Sequence, residues 1–107
     1  MELLFRVDGQ LIERLDDEIL AEDSCHYLCG WVVFESGWED IEHRELLFEG
    51  ECDSIKIELD RKNSFDESAN LTFRRGIYYV SAVGTNSTGS VIRTIPLQIC
   101  VRASGGR

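Results

Sequence analysis

A chain of 107 residues has room for one domain, and burying about two thirds of its surface gives it one modest core. Apolar residues at 43% and aromatics at 9% exclude a chain disordered by composition, and a net charge of −9 argues against general binding to nucleic acid or anionic membrane. No apolar run approaches the ~20 residues that a membrane helix needs, and residues 1–6 lack the form of a signal peptide, so no membrane contact is expected.

Alternation of period two dominates from the first residues. Leu3, Phe5 and Val7 alternate with Leu4, Arg6 and Asp8, Asp8-Gly9 signals a hairpin turn, and residues 10–15 return as a strand. Residues 16–24 hold five acids around Ile19-Leu20-Ala21 and read as a loop or one helical turn. Residues 26–35 form the strongest central strand, and Gly30 inside it marks a bulge or a close packing contact. A loop at 36–40 leads to a strand at 45–49, a turn at 49–51, and a strand at 54–59 with Ile55, Ile57 and Leu59 inward and Lys56 and Glu58 outward. Residues 60–70 are a polar connection, and 71–74 a short strand or the end of that connection. A rich strand over 77–83 meets a turn cluster at 84–89. Residues 90–102 make the last strand, which is an edge or bends at Pro96 because proline has no N–H to donate.

No segment has sustained helical periodicity. About seven short strands joined by turns predict an all-β fold, an antiparallel β-sandwich of immunoglobulin-like shape, with a small β-barrel as the alternative. The domain spans 1–103, and 104–107 form a flexible tail.

The four cysteines, Cys25, Cys29, Cys52 and Cys100, read as reduced and as small buried apolar side chains. Cys25-His26 with Cys29 lacks the tight two-residue ligand spacing and the second ligand pair of a structural zinc site, so neither metal nor cofactor is expected. The sequons at Asn70 and Asn86 are chance matches in a chain that is not secreted. His26 and His43 are the only histidines, and neither stands in a pattern with a nucleophile and an orienting acid. Gly-x-Ser-x-Gly and phosphate-loop patterns are missing from the sequence, and the expectation is a protein that is not an enzyme.

Charge is divided along the chain. Residues 1–67 carry all twenty acids and six bases, hence −14; residues 68–107 carry five arginines and no acid, hence +5. Interleaved strands would mix these signs. If they stay apart, an acidic face can meet a basic one in a ring or head-to-tail assembly, or can imitate phosphates before a basic groove. The acidic candidates are Asp16, Asp17, Glu18, Glu22, Asp23, Glu39, Asp40 and Glu42, and Arg74 and Arg75 are the basic ones. Trp38 is either a lid on the core or an exposed anchor for a partner. Tyr78 and Tyr79 face opposite sides of one strand, and Tyr78 is the candidate for a partner contact.

Several stretches carry a family resemblance. They are Phe34-Glu35-Ser36-Gly37-Trp38-Glu39-Asp40-Ile41, Glu45-Leu46-Leu47-Phe48-Glu49-Gly50, Ile57-Glu58-Leu59-Asp60 and Gly76-Ile77-Tyr78-Tyr79-Val80-Ser81-Ala82-Val83-Gly84, followed by a long alternating strand. Together, over residues 3–103, they resemble the small β-sandwich domains at the N-termini of tail, baseplate and fibre-like proteins of phages of Gram-positive bacteria. That family often has a proline-containing segment after Leu-Asp, where this chain has none, and no fibre region follows here. The resemblance implies a phage or prophage interaction module, located in the cytoplasm of a bacterial host or in a virion, whose protein partner is a second copy or a phage structural protein, with a homo-oligomer as one outcome. The alternative is a small acidic inhibitor, an anti-CRISPR or other anti-defence protein, that occludes the basic channel of a host nuclease. Neither reading involves direct contact with nucleic acid.

Overall fold

The computed structural model describes residues 1–24 and 27–103. Cys25 and His26, which belong to the weighed zinc motif and the start of the central strand, and the tail 104–107 lie outside the described residues. Ten strands follow in order: β1 (Glu2–Asp8), β2 (Leu11–Arg14), β3 (Leu20–Ala21), β4 (Cys29–Phe34), β5 (His43–Glu49), β6 (Ser54–Glu58), β7 (Ser64–Phe65), β8 (Gly76–Thr85), β9 (Val91–Arg93) and β10 (Leu97–Arg102). A single turn of 3₁₀ helix covers Glu67–Ala69. Seven strands have four residues or more; β3, β7 and β9 are short additions inside segments read as loop, connection and final strand.

The fold is all-β with two sheets. The smaller has the order β2-β1-β4-β7, and the larger β3-β10-β8-β5-β6 with β9 also paired to β8. Leu3, Phe5, Val7 and Val32 from the first sheet and Leu46, Phe48, Tyr78, Val80 and Ile99 from the second join one buried cluster.

The expectation of a purely antiparallel arrangement is corrected in two places: β1 pairs in parallel with β4, and β3 with β10. The cause is the route of the chain. The β1–β2 hairpin brings it back to the end where β1 began, and Cys29 starts β4 beside Glu2. β4 therefore leaves in the direction of β1.

Gly30 explains how closely these two strands meet. A Cβ at this position would stand 2.3 Å from the Leu3 carbonyl oxygen. The glycine is thus a packing contact and fixes the parity of β4: Gly30 and Val32 are buried, and Trp31 and Val33 point out. The predicted final strand is broken between Arg93 and Leu97, around Pro96. Where β9 ends, the Thr94 hydroxyl accepts from the Ala82 N–H (2.9 Å) and the Thr94 N–H donates to the Ala82 carbonyl (3.0 Å), so the backbone of β8 stays satisfied. No strand forms at 71–74, although Leu71 and Phe73 are buried there.

Three cysteines expected to be buried are not fully so. Cys52 lies exposed in the β5–β6 turn. Cys100 is exposed because it alternates with the buried Ile99 and Val101. Cys29 is half-buried. Burial, with the Glu67 carboxylate nearby, pushes the Cys29 thiol up.

Gly30→Ala should lower stability by about 1–3 kcal/mol, because the new methyl group must displace the β1 backbone rather than a side-chain tip. Urea unfolding of the two proteins measures it, and an unchanged midpoint would contradict the close β1–β4 contact.

Candidate surface on the smaller sheet

The outer face of the smaller sheet follows from the parity of its strands. On β1 the outward residues are Leu4, Arg6 and Asp8, because Leu3, Phe5 and Val7 are buried. Trp31 stands beside Leu4 in the parallel register, and Val33 beside Arg6. The Leu15 N–H donates to the Leu4 carbonyl (2.8 Å), which extends the row beyond β2. Leu15, Leu4 and Trp31 thus form an apolar row across three strands, with Val33 next to Trp31 along β4. Trp31 is 40% exposed, Val33 42% and Leu15 49%. Above the row, Arg6 and Glu13 form an ion pair of 2.7 Å. An aromatic anchor with aliphatic neighbours and a charged rim is the composition of a protein-binding patch.

Trp38 has the opposite fate. It is 1% exposed, so the reading as an exposed anchor is corrected and the lid reading describes it. Its indole N–H donates to the Gly9 carbonyl (2.8 Å), and its ring lies 4.8 Å from that of Phe34. Gly84 leaves the space: a Cβ there would sit 2.5 Å from the Trp38 ring. Arg44 closes the loop from outside, donating to the carbonyls of Trp38 (2.5 Å) and Ile41 (2.9 Å) while its guanidinium lies over Phe34.

Tyr78 is also corrected, since it belongs to the core and Tyr79 is the outward tyrosine of β8. The Tyr78 hydroxyl donates to Asp53 (2.8 Å) and accepts from the Arg74 N–H (2.9 Å). Burial raises its pKa and the Asp53 carboxylate adds to the rise, against the opposing Arg74 N–H.

The acidic candidates do not form one face. Asp16 works inside the structure: its carboxylate accepts from the Leu4 N–H (2.8 Å), the Glu18 N–H (3.0 Å) and Arg14 Nε (2.8 Å), and its side chain is 6% exposed. Arg14 in turn donates to the Glu18 carbonyl. Glu22 and Asp23 border one depression together with Arg74 and Arg75. Backbone bonds hold them there, from Asp23 to the Phe73 carbonyl (3.0 Å) and from Glu22 to the Arg102 carbonyl (2.9 Å). The two halves of the chain therefore mix their charges at this end. Asp17, Asp40 and Glu42 are exposed, and Glu39 accepts from the Gly37 N–H (3.1 Å) in the Trp38 loop. Among the described residues no group of three or more Cys, His, Asp or Glu side chains is placed to hold a metal ion.

Comparison with family models, curated proteins and solved structures finds no match to this chain. Its surface therefore has to be read from its own residues. Sequence reasoning missed Trp31 because Cys29-Gly30-Trp31-Val32-Val33-Phe34 is a continuous apolar run that conceals which residues face out. The available signal was Gly30: a glycine against a neighbouring backbone faces inward, and the next residue then faces outward.

Asp16→Asn should cost about 1.5–3 kcal/mol at neutral pH, the range for hydrogen bonds to a charged group. Burial alone would raise the Asp16 carboxyl, but the bonds from Arg14, Leu4 and Glu18 outweigh it and hold the carboxyl below its usual range. A lowered folded-state value stabilises the protein above the unfolded-state pKa, and this contribution disappears as pH falls through the folded-state value. The gap between wild type and variant should thus narrow from about pH 5 toward pH 2 in urea titrations. A gap independent of pH would rule out this role for the charge.

Proposed function

We propose that this chain is a non-enzymatic protein–protein interaction module of phage or prophage type, built on an immunoglobulin-like sandwich and docking through its Trp31 face. The observation that carries the reading is the apolar row of Leu15, Leu4 and Trp31, contiguous across the outer face of the smaller sheet. Tryptophan in such a setting is the residue type most enriched among those that dominate binding energy.

Two features support the immunoglobulin-like part. The order β10-β8-β5-β6 corresponds to the G-F-C-C′ order of variable-type domains. Tyr78, near the start of β8, accepts a bond from the backbone of Arg74 four residues upstream, which is the arrangement of a tyrosine corner. The buried tryptophan of strand C has no counterpart: β5 buries Leu46 and Phe48 instead. The resemblance to phage tail and baseplate domains supports the assembly role, with a second copy or a structural protein as the partner.

One observation favours the second reading, an acidic inhibitor of a basic host complex. Asp8 at the end of β1 and Glu35, Glu39, Asp40 and Glu42 between β4 and β5 are exposed at the Trp38 end, and Asp8 ties the hairpin to the following loop by accepting from the Ser36 hydroxyl (2.7 Å). Binding by this end would weaken steeply with salt, whereas binding by the Trp31 face would persist.

A photocrosslinking side chain in place of Val33 should capture a discrete protein in the native host, while the same side chain in place of Thr88 should not. Trp31→Ser should abolish the adduct and change stability by less than about 1 kcal/mol, because the residue is on the surface. Trp38→Ser should instead cost about 3–5 kcal/mol. Equal adducts at both positions, or none at position 33, would count against the Trp31 face.

A further inference from the structure

The last strand of a sheet has a row of backbone groups with no partner inside the sheet. Here those strands are β2 and β7 in the smaller sheet and β3 and β6 in the larger. β3 and β7 have two residues each. At β2 the connection between β9 and β10 closes in, with the Ile95 N–H donating to the Gln10 carbonyl (2.7 Å). β6 has five residues and is the longest of the four. It contains no proline, and its register with β5 runs without a bulge, from Glu58 opposite Glu45 to Ser54 opposite Glu49.

The hydrogen bonds at its two ends fix which way its backbone points. The Leu59 N–H donates to the Arg44 carbonyl (3.0 Å), and the Gly50 N–H donates to the Asp53 carbonyl (2.8 Å). Bonding alternates along an antiparallel strand, so Ile55 and Ile57 bond to β5, while Ser54, Lys56 and Glu58 turn their N–H and C=O groups to the open edge. Among the described residues no loop bonds to those groups. The side chains form two rows. On the core side, Ile57 is buried, and Ile55 and Leu59 are only partly covered. On the outer side stand Lys56 and Glu58, both exposed. Lys56 reaches Glu45 at 3.9 Å, the longest ion pair among the described residues. Exposed charges also differ between the flanking turns: Glu51 precedes β6, and Arg61 and Lys62 follow it.

We infer that two copies of this chain pair edge to edge through β6, antiparallel about a two-fold axis at Ile57. The strand is self-complementary in that register alone. Lys56 of each copy stands opposite Glu58 of the other, and their outward N–H and C=O groups bond to each other. Ile57 meets Ile57 and Ile55 meets Leu59, so the partly covered apolar row becomes continuous across the dimer. The turn with Glu51 in one copy comes beside the turn with Arg61 and Lys62 in the other. Other registers lack this match: an axis at Lys56 or at Glu58 sets that charge against its own copy, and an axis at Ile55 runs the pairing into the β5–β6 turn. The pairing ends after Glu58, because the Asp60 N–H already donates to the Ser64 carbonyl (3.0 Å). Such an isologous contact joins the two larger sheets and removes their open edges. It leaves the Trp31 face free and does not rest on the docking role proposed for it.

Sedimentation equilibrium of the full chain measures the association, and amide hydrogen exchange measures the register. The chain should form a dimer whose population rises with concentration. Lys56→Glu and Glu58→Lys should each weaken it about tenfold or more, because each sets like charges opposite at two symmetric places. The double variant Lys56→Glu, Glu58→Lys restores opposite charges and should return the affinity to within about threefold of wild type. Circular dichroism should be the same for all four proteins. As the dimer forms, the amides of Lys56 and Glu58 should become protected from exchange, and that of Ser54 should not. Trp31→Ser should dimerise as wild type does. The inference is overturned by a monomer at millimolar concentration, by a dimer that neither single variant weakens, by a double variant that stays weak, by protection of Ser54 together with Lys56, or by a dimer that Trp31→Ser abolishes.

Discussion

The contact between Gly30 and the Leu3 carbonyl is the constraint on which the remaining surfaces depend. It places β1 and β4 side by side in parallel and leaves β4 one choice of parity. If Gly30 faces the core, Val32 is buried with it and Phe34 packs against the core's edge. Trp31 and Val33 are then directed to solvent, next to Leu4. A larger residue at position 30 would separate the strands, and a shift of register by one residue would exchange the two faces. The apolar row on the smaller sheet is thus a consequence of core packing and not an independent surface feature.

The same parity determines how the Trp38 end is closed. Phe34 meets the Trp38 ring, and the ring fits into the space that Gly84 leaves on β8. The indole N–H and the loop carbonyls need partners once water is excluded, and Gly9 and Arg44 supply them. The opposite end uses a different device. The Tyr78 hydroxyl joins Asp53 of the β5–β6 turn to the backbone at Arg74, so the turn and the segment entering β8 are held by one phenol.

Those elements whose information is local were legible in the sequence. The first hairpin follows from Asp8-Gly9, with Gly9 at φ +59° and Asp8 paired to Leu11. The alternation around Ile57 and the break near Pro96 are equally direct. What remained hidden depends on neighbours far along the chain. The sequence contains two tryptophans, and the loop tryptophan is buried while the strand tryptophan is exposed, because Gly9 and Gly84 form a pocket for the first and Gly30 turns the second outward. Likewise nothing next to Tyr78 indicates that its hydroxyl serves Asp53, 25 residues away. The parallel pairs were missed for the same reason: they depend on which strand the chain rejoins after the first hairpin, with Leu20–Ala21 beside β10 and Cys29 beside Glu2.

The division of charge along the sequence shows most directly how topology overrides linear order. The basic last third supplies β8, β9 and β10, and the sheet order places β10 and β8 between β3 on one side and β5 and β6 on the other. Arg93 therefore reaches Glu49, and Arg74 and Arg75 lie beside Glu22 and Asp23. Such interleaving mixes the two signs at both of these places, against their separation along the chain. With eleven basic residues against twenty acids, an excess of nine negative charges persists however the strands interleave.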